Sequence, residues 1–401
     1  MTTTAPDIWT ELAEVVRRPE SLAALDDGAF AARVAELRDH GILPMVLFGL
    51  GGAGLLQTLP EDRRALLAQA VARYKASYVA LMEGVERVLA QWSSQGLVPV
   101  VIKGLHLATQ YYPMPHLRPM TDMDSLFPDL REGERAWALA KETGLEQQGL
   151  PLSKDPWVGA HELPMLINPA TGFTLEVQGS LVYGVRDRRW AKAAVLLEHP
   201  VSFDVAGLRV RGLRPEANIV YLLAHNFVQH RASGPKLYPL MDVAMILQKE
   251  GATLDGELLV SLAEASGFAG PVALGLEWSK TLFDAPVPPG VLEGLAARGG
   301  SGFKPLAADA SGGGEQDSAT LDELRNQASL GEMARLLGSR VFPSGPYMRH
   351  RYPDYDGWPL PLLYPLRWSE QAQRAVNALV FRLREAQKEE QARRQEKAKN
   401  A

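Results

Sequence analysis

The 401-residue sequence contains no cysteine, and this absence removes several kinds of site at once. Disulfide scaffolds, zinc ribbons, iron–sulfur clusters and thiol nucleophiles all require cysteine. The sequence also lacks a G-x-S-x-G turn, a Walker lysine loop and an H-E-x-x-H helix. Hydrolase, P-loop ATPase and zinc-protease interpretations therefore have no support.

There is no excess of positive charge either. The chain has 42 basic and 47 acidic residues, a formal net charge of −5. A polynucleotide-binding protein normally carries a basic footprint, so we expect no nucleic-acid partner, although a local basic pocket for a small anion is still allowed. The first twenty residues hold acidic positions and no apolar core segment, so no secretion signal is predicted and a cytoplasmic protein is expected.

The longest uncharged run, residues 41–60, is interrupted by Pro44, several glycines and polar residues. A transmembrane helix needs about 20 predominantly apolar residues, so the run is interpreted as buried helix ends and a tight turn, and no membrane is expected.

Gly49, Gly51 and Gly54 match the G-x-G-x-x-G spacing. A dinucleotide-binding site requires a second strand after these glycines, but Pro60 and a long helical pattern stand there instead. The glycines are therefore interpreted as residues of a close helix crossing or a loop.

Length and pattern together predict two or three domains of class α+β. Apolar residues at helical spacing dominate both ends of the chain, while short β-branched and alternating segments cluster in the middle. The predicted regions are a helical region at 1–95, a mixed core at 96–213, a helical region at 214–298, a Gly- and Ser-rich flexible linker at 299–318, and helices with a charged tail at 319–401.

Three acidic residues suggest a metal site. Asp122 and Asp124 lie two apart in a strand-like segment, so their carboxylates share one face. Such a pair of hard oxygen ligands suits Mg²⁺ bound together with phosphate oxygens. Glu176 alternates with apolar neighbours in a later strand, FTLEVQ, and would join the pair if the two strands were adjacent.

Basic and glycine residues near this pair could hold an anion. Lys103 and Gly104 end one predicted strand and open a short helix, where backbone N–H groups and the helix dipole favour a phosphate. Arg118 offers a planar donor fork suited to phosphate or carboxylate.

This combination resembles the nucleotidyltransferases of the DNA polymerase β superfamily and, more narrowly, a bacterial family of uncharacterised nucleotidyltransferases. The resemblance is close over about 95–250, including the later block RPEANIVYLLAHNFVQHR, and looser over about 335–367. It implies a polymerase-β-like core flanked by helical regions. The matching core motif consists of Lys103, Gly104, Tyr112, Pro113, Arg118, Pro119, Asp122 and Asp124.

The resemblance also implies a Mg²⁺-dependent enzyme that moves a nucleoside monophosphate from a nucleoside triphosphate, with ATP expected, to a hydroxyl or phosphate of a small-molecule or peptide acceptor. Asp122 and Asp124 would bind the metal. Glu176 would complete the site or deprotonate the acceptor. Lys103 and Gly104 would hold the outer phosphates, and Arg118 would either bind phosphate or support the aspartate strand. Residues 214–250 would form the far wall of the acceptor cleft.

Two departures from the family pattern leave an alternative open. Gln178 stands where the family often has histidine, and Thr121 and Ser125 replace apolar neighbours of the aspartates. They motivate a catalytically silent nucleotide-binding or scaffold protein with the same fold. A nucleic-acid-modifying enzyme would instead require a basic stripe beside the cleft.

Other polar residues are assigned structural roles. Asp354 and Asp356 are interpreted as a surface loop, and Asp242, on an apolar helix, is expected to pair with a basic residue or histidine. His225 and His230 are five residues apart on a helix, so they cannot share a metal as i, i+4 histidines do.

Overall fold

The computed structural model describes residues 4–229, 235–251, 253–300, 302–303, 322–373 and 376. A seven-stranded mixed sheet lies between helices that precede it and helices that follow it, which confirms the expected α+β class with helical regions on both sides. Most of the predicted linker and the charged tail lie outside the described residues. The division into domains stays a prediction.

The sheet has the order β3-β4-β5-β2-β1-β7-β6. Strand β1 is antiparallel to β2 and parallel to β7, and β2 is parallel to β5. The strands are Val100–Ile102 (β1), Asp122–Leu126 (β2), Glu146–Gln147 (β3), Leu166–Ile167 (β4), Thr174–Gln178 (β5), Val201–Val205 (β6) and Leu208–Gly212 (β7).

The helices before the sheet end in a long amphipathic helix with acidic residues in its first turn, where they suit the helix dipole. The uncharged run forms one short helix with a buried face and a following 3₁₀ turn, Leu56–Thr58. Those helices are Asp7–Arg17 (α1), Glu20–Ala23 (α2), Asp27–Asp39 (α3), Leu43–Gly52 (α4) and Glu61–Ser94 (α5).

The remaining helices lie between strands or after the last one. Asp129 and Asp255 cap two of them by accepting hydrogen bonds from first-turn N–H groups. The remaining helices are Lys103–Gln110 (α6), Leu130–Lys141 (α7), Arg188–Ala193 (α8), Pro215–Ala224 (α9), Tyr238–Glu250 (α10), Gly256–Ala265 (α11), Ala269–Phe283 (α12), Val291–Leu295 (α13), Leu330–Val341 (α14) and Gly345–Arg351 (α15). A π-helical turn, His225–Gln229, continues α9, and another, Ala296–Gly300, follows α13.

The two faces of the sheet contact different helices. The carboxyl-terminal half of α5, with α7, packs on the face that carries Val101, Met123 and Val177. The opposite face carries Ile102 and Leu126 and belongs to a core shared with α9, α10 and α12. Asp124 pairs with Ile102 across β1 and β2, so it points to this second face, toward the helices that follow the sheet.

No helix in the described part of the chain combines the length and the apolar character that crossing a membrane requires.

Candidate functional site

The turn from β1 into α6 places a lysine over the sheet. Ile102 ends β1 and Lys103 begins α6, with a backbone φ of +51° at the lysine. A non-glycine residue in this left-handed region is uncommon and is strained by about 1–3 kcal/mol, and such strain often accompanies a functional constraint. The turn directs the ammonium group of Lys103 toward the neighbouring strand β2.

Three carboxylates converge below this lysine. Asp124 in β2 lies directly opposite Glu176 in β5, and Asp122 is two residues earlier in β2. One oxygen from each of the three carboxylates lies within 4.8 Å of the others. The expectation that Glu176 joins the aspartate pair is confirmed, because β2 and β5 are adjacent and in register.

Asp124 is the centre of a hydrogen-bond network. Its Oδ1 accepts from Lys103 Nζ at 2.7 Å and from Gln178 Nε2 at 3.0 Å. The same Gln178 nitrogen lies 3.2 Å from Glu176 Oε2, and Lys103 Nζ lies 3.9 Å from that oxygen. Gln178, the residue that departs from the family pattern, therefore holds two of the three carboxylates together.

The charges of the site are not balanced by the protein. Burial, followed by the charges of Asp124 and Glu162, raises the pKa of Glu176 to about 9. Burial and the charge of Asp124 also raise the pKa of Asp122. Burial acts to lower the pKa of Lys103, but the charges of Asp124, Tyr221 and Glu176 outweigh it and hold that pKa well above its usual range. One ammonium group thus leaves the carboxylates with uncompensated repulsion.

A divalent cation fits this arrangement. The set consists only of carboxylate oxygens, the hard ligands that Mg²⁺ and Ca²⁺ prefer. A cation close to three carboxylates stabilises their ionised forms and would lower the pKa values that burial and mutual repulsion raise. The buried Oε1 of Gln178, which has no hydrogen-bond partner among the described residues, adds an oxygen beside the set.

Three further residues adjoin the site, and the sequence analysis missed them. Glu162 forms an antiparallel bridge with Gln178, and the charge of Glu162 contributes to the raised pKa of Glu176. Its neighbour His161 has a ring nitrogen 3.5 Å from Glu162 Oε2. Burial lowers the pKa of His161, although the charge of Glu162 opposes that change. The adjacent His–Glu pair was the only local signal that could have drawn attention to this loop.

Tyr221 is the third missed residue. It belongs to α9 and is fully buried, and its hydroxyl has no hydrogen-bond partner in the described structure. Burial raises the pKa of Tyr221, whereas the charge of Lys103 opposes this and those of Asp124 and Glu176 add to it. A tyrosine in an apolar helix resembles any core residue in the sequence, so no spacing could have identified it.

Arg118 lies between the sheet and α10. Its Nε and Nη2 donate to the two carboxylate oxygens of Asp242 at 3.1 and 2.9 Å, and Nη1 donates to the Pro119 carbonyl at 2.7 Å. The hydroxyl of Tyr112 donates to the same Asp242 at 2.6 Å. The expected basic partner of Asp242 is therefore Arg118, and this guanidinium pairs with α10 rather than with the aspartates of β2. Phosphate binding by Arg118 stays a prediction.

Gly104 lies buried in the first turn of α6. A Cβ atom at this position would lie 3.2 Å from Met120 Cβ and 3.6 Å from Arg118 Nη1, so glycine allows the helix to approach the segment that leads into β2. The amino-terminal end of α6 has no side-chain cap. Uncapped N–H groups at a helix start attract anions, and the phosphate role of Gly104 stays a prediction.

The residues that the sequence analysis set aside lie elsewhere. Gly49 and Gly51 belong to the helix α4 and not to a strand–turn–helix unit. Asp354 lies in a 3₁₀ turn that Asp356 follows, and both residues are exposed. His225 opens a π-helical turn, and His230 lies outside the described residues.

Comparison with known proteins identifies one family. The model of a family described as uncharacterised nucleotidyltransferase matches residues 30–284, more than half of the chain and all six predicted site residues. No curated protein and no solved structure matches.

Proposed function

The chain belongs to the uncharacterised nucleotidyltransferase family, and from that premise we propose that it moves a nucleoside monophosphate from a nucleoside triphosphate, with ATP expected, to a hydroxyl or phosphate of a small-molecule or peptide acceptor. The observation that carries the proposal is the convergence of Asp122, Asp124 and Glu176 within 4.8 Å, beside the lysine of an uncapped helix start.

In the proposed reaction an acceptor oxygen bonds to the α-phosphorus, the bond from that phosphorus to the bridging oxygen breaks, and pyrophosphate leaves. Asp122, Asp124 and Glu176 would hold Mg²⁺, which when bound neutralises phosphate charge and favours in-line displacement. Glu176 has two candidate roles, as a ligand of the metal ion or as the acceptor of the hydroxyl proton. Its position in β5, opposite Asp124, is compatible with either role.

Lys103 is suited to the outer phosphates. Its ammonium group already lies among the carboxylates, 2.7 Å from Asp124, and the first N–H groups of α6 lie on the same turn. A cation beside helix N–H groups is an arrangement that recurs in phosphate sites. We expect Lys103→Met to weaken binding of a fluorescent ATP analogue by about 10- to 100-fold. This is the loss of affinity that corresponds to the free energy of one charge-assisted hydrogen bond.

We expect the helices after the sheet to form the wall opposite the carboxylates. Tyr221 from α9 is electrostatically coupled to Lys103 and Glu176, and Asp242 from α10 binds Arg118. An acceptor between these helices and the sheet would be enclosed and oriented. The chain's net charge of −5 favours a small molecule or a peptide over a polynucleotide in that position.

The test uses nucleoside triphosphates labelled at the α-phosphate, Mg²⁺ and a panel of hydroxyl, phosphate and peptide acceptors. Label transfer and pyrophosphate release should fall by about 10²–10⁴-fold in Asp122→Asn, which keeps the shape of the side chain and removes its charge. Glu146→Gln, at an exposed position of β3, is the matched control and should retain activity. Tight Mg²⁺–nucleotide binding without transfer to any acceptor would instead support the catalytically silent alternative.

A further inference from the structure

A pocket lies away from the carboxylates, between α4, α5 and the 3₁₀ turn Pro115–Leu117. It has a volume of about 310 Å³, at the lower end of the range for small-molecule sites. Its wall is predominantly apolar and includes Leu47, Leu56, Val71 and Leu117. None of the three carboxylates lines it, so the site described above does not explain it.

The mouth of this pocket exposes large apolar side chains. Phe48 is 41% exposed and Met114 is 40% exposed, and both line the pocket. An apolar concavity with exposed apolar residues at its entrance gains free energy when an apolar ligand covers it, at about 25 cal/mol per Å² of surface removed from water.

Gly51 of α4 lines the pocket, and a Cβ there would lie 3.6 Å from Leu56 Cδ1. Gly52 also lines the pocket, but a Cβ at that position would meet nothing within 4 Å. Gly52 is the last residue of α4, and a larger side chain there would extend into open space at the pocket wall.

One edge of the pocket is basic. Lys75 and His116 both line it, and neither forms an ion pair within 4 Å among the described residues. Burial, followed by the charge of Lys75, lowers the pKa of His116, so the two groups lie near each other and Lys75 supplies the positive charge of this edge. The hydroxyl of Tyr74, another lining residue, is buried and has no partner among the described residues.

We propose that this pocket binds an amphipathic anion, with an apolar chain against Leu47, Leu56 and Leu117 and a carboxylate or phosphate head at Lys75 and His116. The head pairs with the ammonium group of Lys75 and accepts a hydrogen bond from the ring N–H of His116, and the chain covers the apolar wall. This inference is independent of the nucleotidyl-transfer proposal, because the two sites share no residue.

The experiment is a calorimetric titration of the full chain with decanoate, decyl phosphate and decanol. We expect saturable binding of at least one anion, at least tenfold tighter than binding of decanol, which has the same chain and no charge. Tighter binding of decyl phosphate identifies a phosphate head, and tighter binding of decanoate identifies a carboxylate head. Equal affinity for decanol, or no binding of any probe, overturns the proposal.

Two variants locate the binding. Gly52→Leu fills the open space in the wall and should weaken anion binding at least tenfold, whereas Gly52→Ala should bind within about threefold of the parent. Lys75→Gln, at an exposed position, should reduce the affinity for the anions to that for decanol. Circular dichroism and thermal unfolding check that each variant is folded. Anion binding that is unchanged in folded Gly52→Leu contradicts the assignment to this pocket.

Discussion

The raised pKa of Glu176 predicts that removing its charge stabilises the metal-free protein. Glu176 lies opposite Asp124, and burial followed by the charges of Asp124 and Glu162 raises its pKa from 4.5 to about 9. A group whose pKa is higher in the folded state contributes stability that is fully present below pH 4.5 and is lost as the pH rises toward 9. Glu176→Gln has no ionisation and keeps an oxygen for the Gln178 amide.

The magnitude follows from the pH interval. Ionisation of Glu176 lowers the free energy of unfolding by about 1.4 kcal/mol for each pH unit above 4.5, until the pKa of the folded state is reached. At pH 7 the loss without solvent screening is therefore about 3 kcal/mol. The side chain of Glu176 is 24% exposed, and solvent screening reduces the effect. Glu176→Gln should therefore raise the free energy of unfolding at pH 7 by about 1–3 kcal/mol.

Urea unfolding in a chelator at pH 5 and pH 8 measures this effect. The difference between Glu176→Gln and the parent should be small at pH 5 and larger at pH 8, while the control Glu146→Gln should match the parent at both. Saturating Mg²⁺ should reverse the order, because a ligand that binds only the folded state stabilises it. A variant that is no more stable than the parent at pH 8 in chelator would refute the reasoning.

Two further changes test packing, one beside the site and one on the opposite face of the sheet. Asp242→Ala removes both acceptors of the Arg118 guanidinium and the acceptor of the Tyr112 hydroxyl, and it should lower the free energy of unfolding by about 3–5 kcal/mol. The double variant Arg118→Met with Asp242→Leu should lose less free energy of unfolding in the same urea assay. A double variant as unstable as Asp242→Ala would contradict this. Gly84→Ala places a Cβ 2.4 Å from the Phe173 ring, between α5 and the start of β5, and should lower thermal stability by about 1–3 kcal/mol; an unchanged melting temperature would contradict that packing.

The carboxylate cluster could be predicted because strand geometry is local. Alternation placed Asp122 and Asp124 on one face of β2, and the apolar neighbours of Glu176 fixed which way it points in β5. The sequence did not show that the two strands are adjacent, and the structure shows it through five residue pairs in parallel register.

The partners of the site could not be predicted in the same way. Arg118 and Asp242 are 124 positions apart, and the sequence left Arg118 with two roles, neither of which names a residue on α10. Tyr221 lies on an apolar helix and Glu162 in a loop, so periodicity gives no information about either. Their positions depend on how the helices after the sheet pack on its face, which is a tertiary property that local pattern does not encode.

Several destabilising features coincide at this one place. Lys103 holds a left-handed backbone, the pKa of Glu176 is raised to about 9, and Tyr221 and Gln178 bury polar atoms without partners among the described residues. Stability alone would select against each of them, and departures from local rules are expected where function requires them. A cation at the carboxylates and a phosphate at Lys103 would relieve the carboxylate repulsion and use the strained turn. Under the proposed function, these residues serve the binding of a metal ion and a phosphate rather than the stability of the empty fold.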